Sequence, residues 1–210
     1  MLGECRTLFD VAREWLMAVT TEGDRVAETD VVEESLDALI QDVRASGAQL
    51  LWVHTNLDLS SRGFARARGY TRLHADSPGV GEPLPPLAAD DYARTLDRAY
   101  RGLWGHKQVA ADAAPPDNAI VIGLYDDDEP IGLCRVFVSA RLVDGPGVAA
   151  GARAPHNYLR LLSGACALLG PGPIDLDSWG DTEETLECYA NLGFAPVEQL
   201  GGWELELTED

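Results

Sequence analysis

The sequence contains very little positive charge. Lys107 is its only lysine, and 16 basic residues stand against 35 acidic ones, which gives a formal net charge of -19. A surface of this sign repels phosphate backbones and anionic lipid headgroups, so we expect no binding to nucleic acid or to a membrane. The charge favours a cationic or amine-bearing partner, although a role in solubility is the plainer explanation.

Long apolar runs and paired cysteines are also missing. No apolar stretch approaches the roughly 18 residues that a membrane-spanning helix requires, and no signal-peptide pattern precedes the first predicted element. The cysteines are widely spaced and form no Cys-x-x-Cys pair; they are Cys5, Cys134, Cys166 and Cys188. Such spacing is typical of reduced thiols. The sequence thus predicts a soluble, cytoplasmic protein.

The clearest local signal is a strand, helix and strand near the C-terminus. Residues 174–179 alternate between two faces, as expected for a strand. Asp181 or Thr182 can cap a short helix, which Gly193 can end in the left-handed conformation. Phe194 then begins the next strand.

Apolar periodicity predicts an α/β protein elsewhere in the chain. Residues 8–19 have helical spacing, which we favour slightly, although residues 15–20 also fit a strand. The terminal pattern around Gly201-Gly202 predicts a hairpin, and the acidic run 126–129 predicts a solvated turn rather than a metal site. Helices are predicted over 31–45, about 58–68, 89–103 and 156–169, and strands over 49–54, 119–125 and 131–138.

A repeat and a linker divide the chain. Residues 50–70 align without a gap with residues 174–194, so that strand, helix and Gly-aromatic pair coincide. Proline and glycine are frequent from Asp76 to Pro86, which is typical of a linker. The predicted organisation is a partial, degenerate repeat over 1–76, a linker over 77–87 and a complete domain over 88–210.

The segment Tyr189-Ala190-Asn191-Leu192-Gly193-Phe194 resembles the Tyr-x-x-Leu-Gly-Phe pattern that ends the last helix of the GNAT acyltransferase superfamily. The order of elements agrees over about residues 84 to 208. The earlier repeat resembles part of a second such domain, similar to tandem members such as mycothiol synthase. The resemblance implies a mixed α/β sheet with a GNAT-like acyl-CoA N-acyltransferase fold and a partial N-terminal repeat.

The resemblance also implies a reaction. Acyl-CoA would lie between two splayed parallel strands, and an acceptor amine would attack its thioester. Tyr189 would protonate the leaving thiolate, because a phenol with a pKa of about 10 is matched to an alkyl thiol. The alternative is that Tyr189 packs against the sheet. The first repeat has Ala65 at the matching position and therefore no such acid.

The loop expected to hold the CoA pyrophosphate departs from the family pattern. Val148 and Arg153 fit the spacing, but His156 and Tyr158 stand where glycine is usual, and Pro155 has no N–H to donate. Two alternatives follow. Either CoA binds in an altered pose, with the side chains of Arg153, His156 and Asn157 on its phosphates, or it does not bind.

Three residues at the end of the predicted strand are candidates for the acceptor site. Asp177, Trp179 and Asp181 could form an anionic, aromatic pocket for a cationic amine, or they could be edge carboxylates and a core tryptophan. His106 could act as a general base or be an ordinary loop histidine. No metal site is predicted.

The resemblance thus favours an enzyme that transfers an acetyl or other acyl group from acyl-CoA to a small amine. Whether it forms a homodimer stays open. Two alternatives stay open. One is a GNAT-fold enzyme that no longer uses CoA and catalyses another small-molecule reaction. The other is a non-catalytic binding or dimerisation module.

Overall fold

The computed structural model describes residues 15–19, 25–28, 33–67, 70–103, 106, 109–179, 182–199 and 201–207. The described residues form two compact units. The first unit holds residues 1–70 and 199–210, and the second unit holds residues 71–198.

The first unit contains a five-stranded sheet and one helix. The strand order is β2-β1-β3-β11-β4, and every recorded pairing in this sheet is antiparallel. The core of this unit is formed by buried apolar residues such as Leu36, Leu51, Leu59 and Phe64. The elements are β1 (Trp15–Val19), β2 (Arg25–Glu28), α1 (Glu33–Ala45), β3 (Leu50–His54), β4 (Ala65–Ala67) and β11 (Gly202–Glu206).

The second unit contains a six-stranded mixed sheet and three helices. The strand order is β10-β5-β9-β8-β7-β6, in which β8 and β9 are parallel. The elements are β5 (Tyr70–Ala75), α2 (Ala89–Tyr100), β6 (Ile120–Asp126), β7 (Glu129–Phe137), β8 (Leu142–Val148), α3 (Pro155–Leu169), β9 (Ile174–Trp179), α4 (Glu183–Asn191) and β10 (Ala195–Gln199).

The apolar pattern of α3 explains how the second unit packs. Buried side chains recur at helical spacing along α3, including Leu161, Leu162, Ala165 and Leu169. They join a core with buried residues of the sheet, such as Leu176. On the other face of the sheet, α2 contributes to a second apolar cluster with residues of β6 and β7. The mixed sheet between helices confirms the predicted α/β class.

The ends of α4 follow the local signals in the sequence. Thr182, one of the two predicted caps, accepts a hydrogen bond at its hydroxyl from the Thr185 backbone N–H, over 3.2 Å. Gly193 has a φ of 94°, which the absence of a side chain permits. These two residues fix the length of α4 and therefore where β10 begins.

The predicted repeat is not matched by the structure after β3. In place of a helix over residues 58–68, a single 3-10 turn spans Ser60–Arg62, and β4 follows. The turn ends at Gly63, whose φ of 82° leaves the helical region. The helix prediction is therefore wrong, and the likeness between the two segments is limited to a strand and a following Gly-aromatic pair.

Two other predictions differ from the structure. The favoured helix over residues 8–19 is wrong for Trp15–Val19, which is a strand paired with both β2 and β3; residues 8–14 lie outside the described residues. The terminal hairpin is also wrong. β10 joins the six-stranded sheet, whereas β11 pairs with β3 and β4 in the other sheet.

The boundaries of the two units differ from the predicted domain boundaries, because the predicted linker over 77–87 belongs to the second unit. The predicted linker is packed against the second unit, since the Gly79 N–H donates to the Leu192 carbonyl and the Gly81 N–H to the Ser163 carbonyl. Further along, Leu87 bonds to Val121. A proline-rich segment can supply such bonds wherever a non-proline residue presents its N–H.

None of the helices in the described residues is both long and apolar enough to cross a membrane.

Candidate functional site

A cavity opens in the second unit where β8 and β9 stop pairing. Their recorded parallel register runs from Leu142 opposite Asp175 to Asp144 opposite Asp177. Beyond these pairs, the ends of the two strands form walls of a cavity of about 180 Å³. Its lining consists of Leu103, Pro146, Gly147, Val148, Arg153, Pro155, Tyr158, Trp179, Thr182, Glu184 and Thr185.

The wall formed by α4 is polar. The hydroxyls of Thr182 and Thr185 lie 2.9 Å apart and hydrogen-bond to each other. Glu184 adds an exposed carboxylate in the first turn, near the positive end of the helix dipole. This wall therefore combines hydroxyl groups with one anion, and it can receive a cationic or hydrogen-bonding ligand group.

The wall that precedes α3 is held together by Arg153. Its Nε donates to the Val148 carbonyl over 3.2 Å, and its Nη2 donates to the carbonyls of Ala99 and Arg101 over 3.1 and 2.9 Å. The guanidinium thus ties this loop to the end of α2. Its hydrogen-bonding capacity is directed into the protein backbone instead of being presented to a ligand.

The other residues predicted to bind the cofactor are dispersed. Val148 is almost fully buried and lines the cavity. Asn157 is buried, and its Nδ2 donates to the Ala152 carbonyl over 2.8 Å, which stabilises the loop. His156 is exposed on α3 and is not part of the cavity lining among the described residues. Their assignment to phosphate stays a prediction.

Tyr189 lies in the apolar core and not in the cavity wall. Its exposed fraction is 0%, and it belongs to the same core cluster as Leu176 and Phe194. Among the described residues, the cavity lining does not include it. This placement agrees with the packing alternative, and the catalytic role stays a prediction.

The residues predicted for the acceptor occupy different surroundings. Trp179 lines the cavity. Asp177 is buried one position deeper on the same strand face, and its Oδ1 accepts a hydrogen bond from Arg72 Nε over 3.0 Å. Asp181 lies outside the described residues. Of the two members of this set that the structure describes, Trp179 lines the cavity and Asp177 does not.

His106 faces α2. Its Nε2 lies 3.6 Å from Oδ1 of Asp97, and its ring stacks on Tyr100 with centroids 5.9 Å apart. Burial alone would raise the pKa of Asp97, but hydrogen bonds from Arg101, the Val109 N–H and His106 lower it overall. His106 is not among the described cavity residues, and its proposed role as a base stays a prediction.

Of the residues that line the cavity, the sequence analysis assigned only Val148, Arg153 and Trp179 to the site, and it missed Tyr158 and Glu184 among others. Tyr158 is half-buried and lies on the first turn of α3, three residues after Pro155. Residues three apart share a helix face, so both reach the cavity. That spacing was visible in the sequence, but the direction of the face depends on how α3 packs.

A buried ion pair lies below the cavity. Arg135 on β7 and Asp144 on β8 are opposite each other, and Nη2 lies 2.9 Å from Oδ2. Both residues are at most 5% exposed. Burial raises the pKa of Asp144 although the charge of Arg135 acts in the opposite direction, and the nearby Asp177 carboxylate adds to the rise. Tyr92 forms a hydrogen bond with Arg135 and helps to hold the guanidinium.

Comparison with known proteins gives matches at the level of structure. No protein-family profile and no curated protein matches the sequence. Among solved structures, a GCN5-related N-acetyltransferase from Sphaerobacter thermophilus has a TM-score of 0.53 at 13% identity, covering 88% of this chain and 72% of its own. A GNAT-family protein from Novosphingobium aromaticivorans has a TM-score of 0.52 at 16% identity, with 88% and 84% covered.

A third structure agrees with these two. An acetyltransferase-like protein from Pyrococcus horikoshii has a TM-score of 0.57 at 11% identity, covering 86% of this chain and 64% of its own. Identities this low concern the fold alone, and they leave the chemistry to be argued from the cavity. Taken with the parting of β8 and β9, they show that this chain has the fold of the GCN5-related N-acetyltransferases, or GNAT proteins.

Proposed function

We propose that this protein transfers an acyl group from an acyl thioester to a small amine. The observation that carries the proposal is the cavity at the parting of β8 and β9, in a chain with the GNAT fold. Enzyme sites in α/β folds frequently lie beyond the carboxyl ends of parallel strands. Here those ends contribute Pro146 to Val148 on one side and Trp179 on the other.

The size of the cavity indicates which part of a donor it takes. Its volume of about 180 Å³ is below the roughly 300–1,000 Å³ of typical ligand pockets. It would therefore enclose the acyl group and the adjoining thioester, with the rest of the donor outside. Leu103, Pro146 and Val148 supply apolar walls, which suit an acyl chain and its methylene neighbours.

The charge of the protein favours the amine as acceptor. A net charge of -19 raises the local concentration of cations and speeds their approach. At the cavity, Glu184 can form an ion pair with an ammonium group, and the Trp179 ring can add a cation–π contact. We therefore expect amines with a positive charge to be better acceptors than neutral amines of similar size.

The reaction requires two proton movements in addition to the loss to solvent of the proton that an ammonium group carries. The neutral amine nitrogen forms a bond to the carbonyl carbon, the carbon–sulfur bond breaks, the nitrogen gives one proton to solvent and the thiolate sulfur accepts one proton. Tyr158 lines the cavity, and its hydroxyl is our candidate for the proton donor to sulfur. Tyr189 is the alternative donor from the sequence pattern, but reaching the cavity would require its ring to leave the core.

The test is thiol release from acetyl-CoA and from S-acetylpantetheine in the presence of a panel of small amines, with the products identified by mass spectrometry. We expect amine-dependent release, and a lower apparent affinity for cationic amines in Glu184→Gln. No thiol release with any amine, together with no binding of either thioester, would refute acyl transfer. It would leave another reaction or a binding role for the cavity.

Two matched variants test the proton donor, because each removes a single hydroxyl. Tyr158→Phe should lower kcat at least about tenfold, since general acids typically contribute more than that. Tyr189→Phe should change kcat much less. The opposite result would assign the role to Tyr189. Val197→Ser, at a site that is 60% exposed, serves as the control for handling and stability.

A further inference from the structure

We propose that this protein recognises its donor through the acyl-pantetheine arm alone, and that a nucleotide at the far end of the donor contributes almost nothing to binding. The inference rests on the proposed function and specifies the donor class, namely short, uncharged acyl thioesters of the pantetheine type. It follows from what the loop before α3 does with its charges and its N–H groups.

The side chain best placed to meet a phosphate is already engaged. The three hydrogen bonds of Arg153 run to the carbonyls of Val148, Ala99 and Arg101. Turning this guanidinium toward a phosphate would leave those carbonyls without their donor and would release the loop from α2. Ala99 and Val148 are buried, and an unmet buried hydrogen-bonding group costs about 1–3 kcal/mol, so the loop opposes such a rearrangement.

Two further basic side chains near the loop lie on the side of α3 that is turned away from the cavity. His156 and Arg160 are exposed, and neither makes a hydrogen bond or an ion pair with the described residues through its side chain. Successive residues of an α-helix turn by about 100°, so both lie roughly 160° around α3 from Tyr158. Tyr158 faces the cavity. A donor whose thioester lies in the cavity could contact the side chains of His156 and Arg160 only if it extended to the opposite side of the helix.

The backbone at the start of α3 also offers few donors. A helix N-terminus usually presents several free N–H groups to an anion. Here the first residue is Pro155, which has no N–H, and the Asn157 N–H donates to the Ala154 carbonyl over 2.9 Å. The Ala152 and Ala154 N–H groups bond within the loop. Three N–H groups of this stretch are therefore used within the fold, and Pro155 supplies none.

Charge acts in the same direction. A nucleotide diphosphate end carries several negative charges, whereas pantetheine carries none. Because the protein has a net charge of -19, its field opposes the nucleotide and leaves the neutral arm unaffected. Glu184 at the cavity adds a local anion. The residues present thus fit the thioester arm and do not fit a pyrophosphate.

The first experiment compares donors that differ only in the nucleotide. We expect kcat/KM for acetyl-CoA to lie within about threefold of that for S-acetylpantetheine, equivalent to less than 1 kcal/mol. Adenosine 3′,5′-bisphosphate at millimolar concentration should not inhibit. Isothermal titration with free CoA and free pantetheine supplies a readout that is independent of turnover, and it should give Kd values within the same factor.

Salt and two variants provide the second readout. If positively charged side chains held the nucleotide, added NaCl would lower the ratio of kcat/KM for acetyl-CoA to kcat/KM for S-acetylpantetheine. We expect that ratio to stay constant or to rise between low and high salt. His156→Ala and Arg160→Ala should leave kcat/KM for acetyl-CoA within about twofold, below the tenfold step that 1.4 kcal/mol of lost binding would produce.

The outcomes separate the two proposals. A preference for acetyl-CoA of tenfold or more, lost at high salt or in Arg160→Ala, would overturn the inference while leaving acyl transfer intact. Inhibition by adenosine 3′,5′-bisphosphate would do the same. Binding of neither CoA nor pantetheine, without thiol release, would overturn both.

Discussion

A methyl group added at Gly147 should destabilise the wall of the cavity by a predictable amount. An alanine Cβ at this position would lie 2.7 Å from Cε2 and 2.9 Å from Cζ of Tyr100, and 3.0 Å from Cβ of Ala99. Carbon atoms at their optimal separation are about 3.5–4.0 Å apart. Gly147→Ala would therefore force three close contacts between β8 and α2.

Neither side of this contact can move freely. Gly147 is paired with Leu133 on the neighbouring strand, so a shift of β8 would disturb the sheet. Tyr100 is 9% exposed, and its ring stacks on His106. Overpacking of this kind typically costs about 1–3 kcal/mol, and we expect Gly147→Ala to fall in that range.

Urea denaturation followed by circular dichroism measures the effect. With a denaturant slope of about 2 kcal/mol per molar, a loss of 2 kcal/mol shifts the midpoint by about 1 M. Gly151→Ala is the matched control, because nothing lies within 4 Å of its added Cβ. We expect that control to change stability by less than about 0.5 kcal/mol.

A second background isolates the cause. In Tyr100→Leu the two contacts with the ring are absent and the contact with Ala99 Cβ remains, so the additional penalty of Gly147→Ala should become smaller, which a double-mutant cycle reports as coupling. Equal penalties for Gly147→Ala and Gly151→Ala, or an unchanged penalty without the Tyr100 ring, would refute the reasoning.

Two further predictions concern ionised groups. Arg135→Met should destabilise the protein by about 3–5 kcal/mol in urea denaturation, because it leaves the Asp144 carboxylate buried without its partner. The double variant Arg135→Met with Asp144→Leu should be less destabilised than Arg135→Met alone. A loss of stability in the double variant equal to the sum of the two single losses would contradict this. Hydrogen bonds that the His74 ring donates to the carboxylates of Asp175 and Asp76 raise the pKa of His74 above 6.5. The contribution of His74 to the free energy of unfolding should be complete below pH 6.5 and should disappear as the pH rises through the raised pKa. An NMR titration of the ring measures this pKa. Asp175→Asn should lower it, and an unchanged pKa would contradict the assignment.

The elements predicted best from the sequence are those with local end signals. Thr182 and Gly193 mark the two ends of α4, and each acts through atoms within three or four residues. Such signals are independent of the rest of the chain, so they can be recognised in advance. Strands β6, β7 and β9 of the second unit were predicted for a similar reason, since their buried faces recur at a regular spacing. The strand β8 was not predicted, because its sequence contains Gly145-Pro146-Gly147, which is typical of a turn.

The first unit was predicted less well because tertiary pairing decides its structure. Residues 15–19 have helical spacing, but the chain places them between β2 and β3, where backbone pairing on both sides favours a strand. Residues 60–67 begin like a helix, but Leu59 and Phe64 are both buried in the unit's core. Burying both with Gly63 between them requires a turn and not a continuous helix.

The terminal segment shows the same limit. Alternation on each side of Gly201-Gly202 correctly indicates two strands, but it does not specify which sheet receives each strand. Trp203 and Leu207 are buried in the core of the first unit, so β11 pairs there, while β10 remains with the second unit. Strand identity was readable from the sequence, and strand partners were not.

The motif that led to the fold has a packing explanation of its own. Tyr189 and Phe194 are both buried in the core of the second unit, and Gly193 allows the turn between them. A Tyr-x-x-Leu-Gly-Phe pattern can therefore persist because it closes a helix against a sheet, whatever chemistry occurs nearby. Recognising it identifies the architecture, and it does not by itself identify a proton donor.

The cavity could not be assembled from the sequence because its walls come from separate segments. The lining residues meet only after β8 and β9 have paired and then parted; they are Leu103, Pro146, Gly147, Val148, Arg153, Pro155, Tyr158, Trp179, Thr182, Glu184 and Thr185. The same folding step that brings Tyr158 to the cavity also directs Arg153 into the backbone of the α2 end. One arrangement of the loop thus places Tyr158 at the cavity and withholds Arg153 from a phosphate. For this reason, donor selectivity is the most informative measurement on this protein.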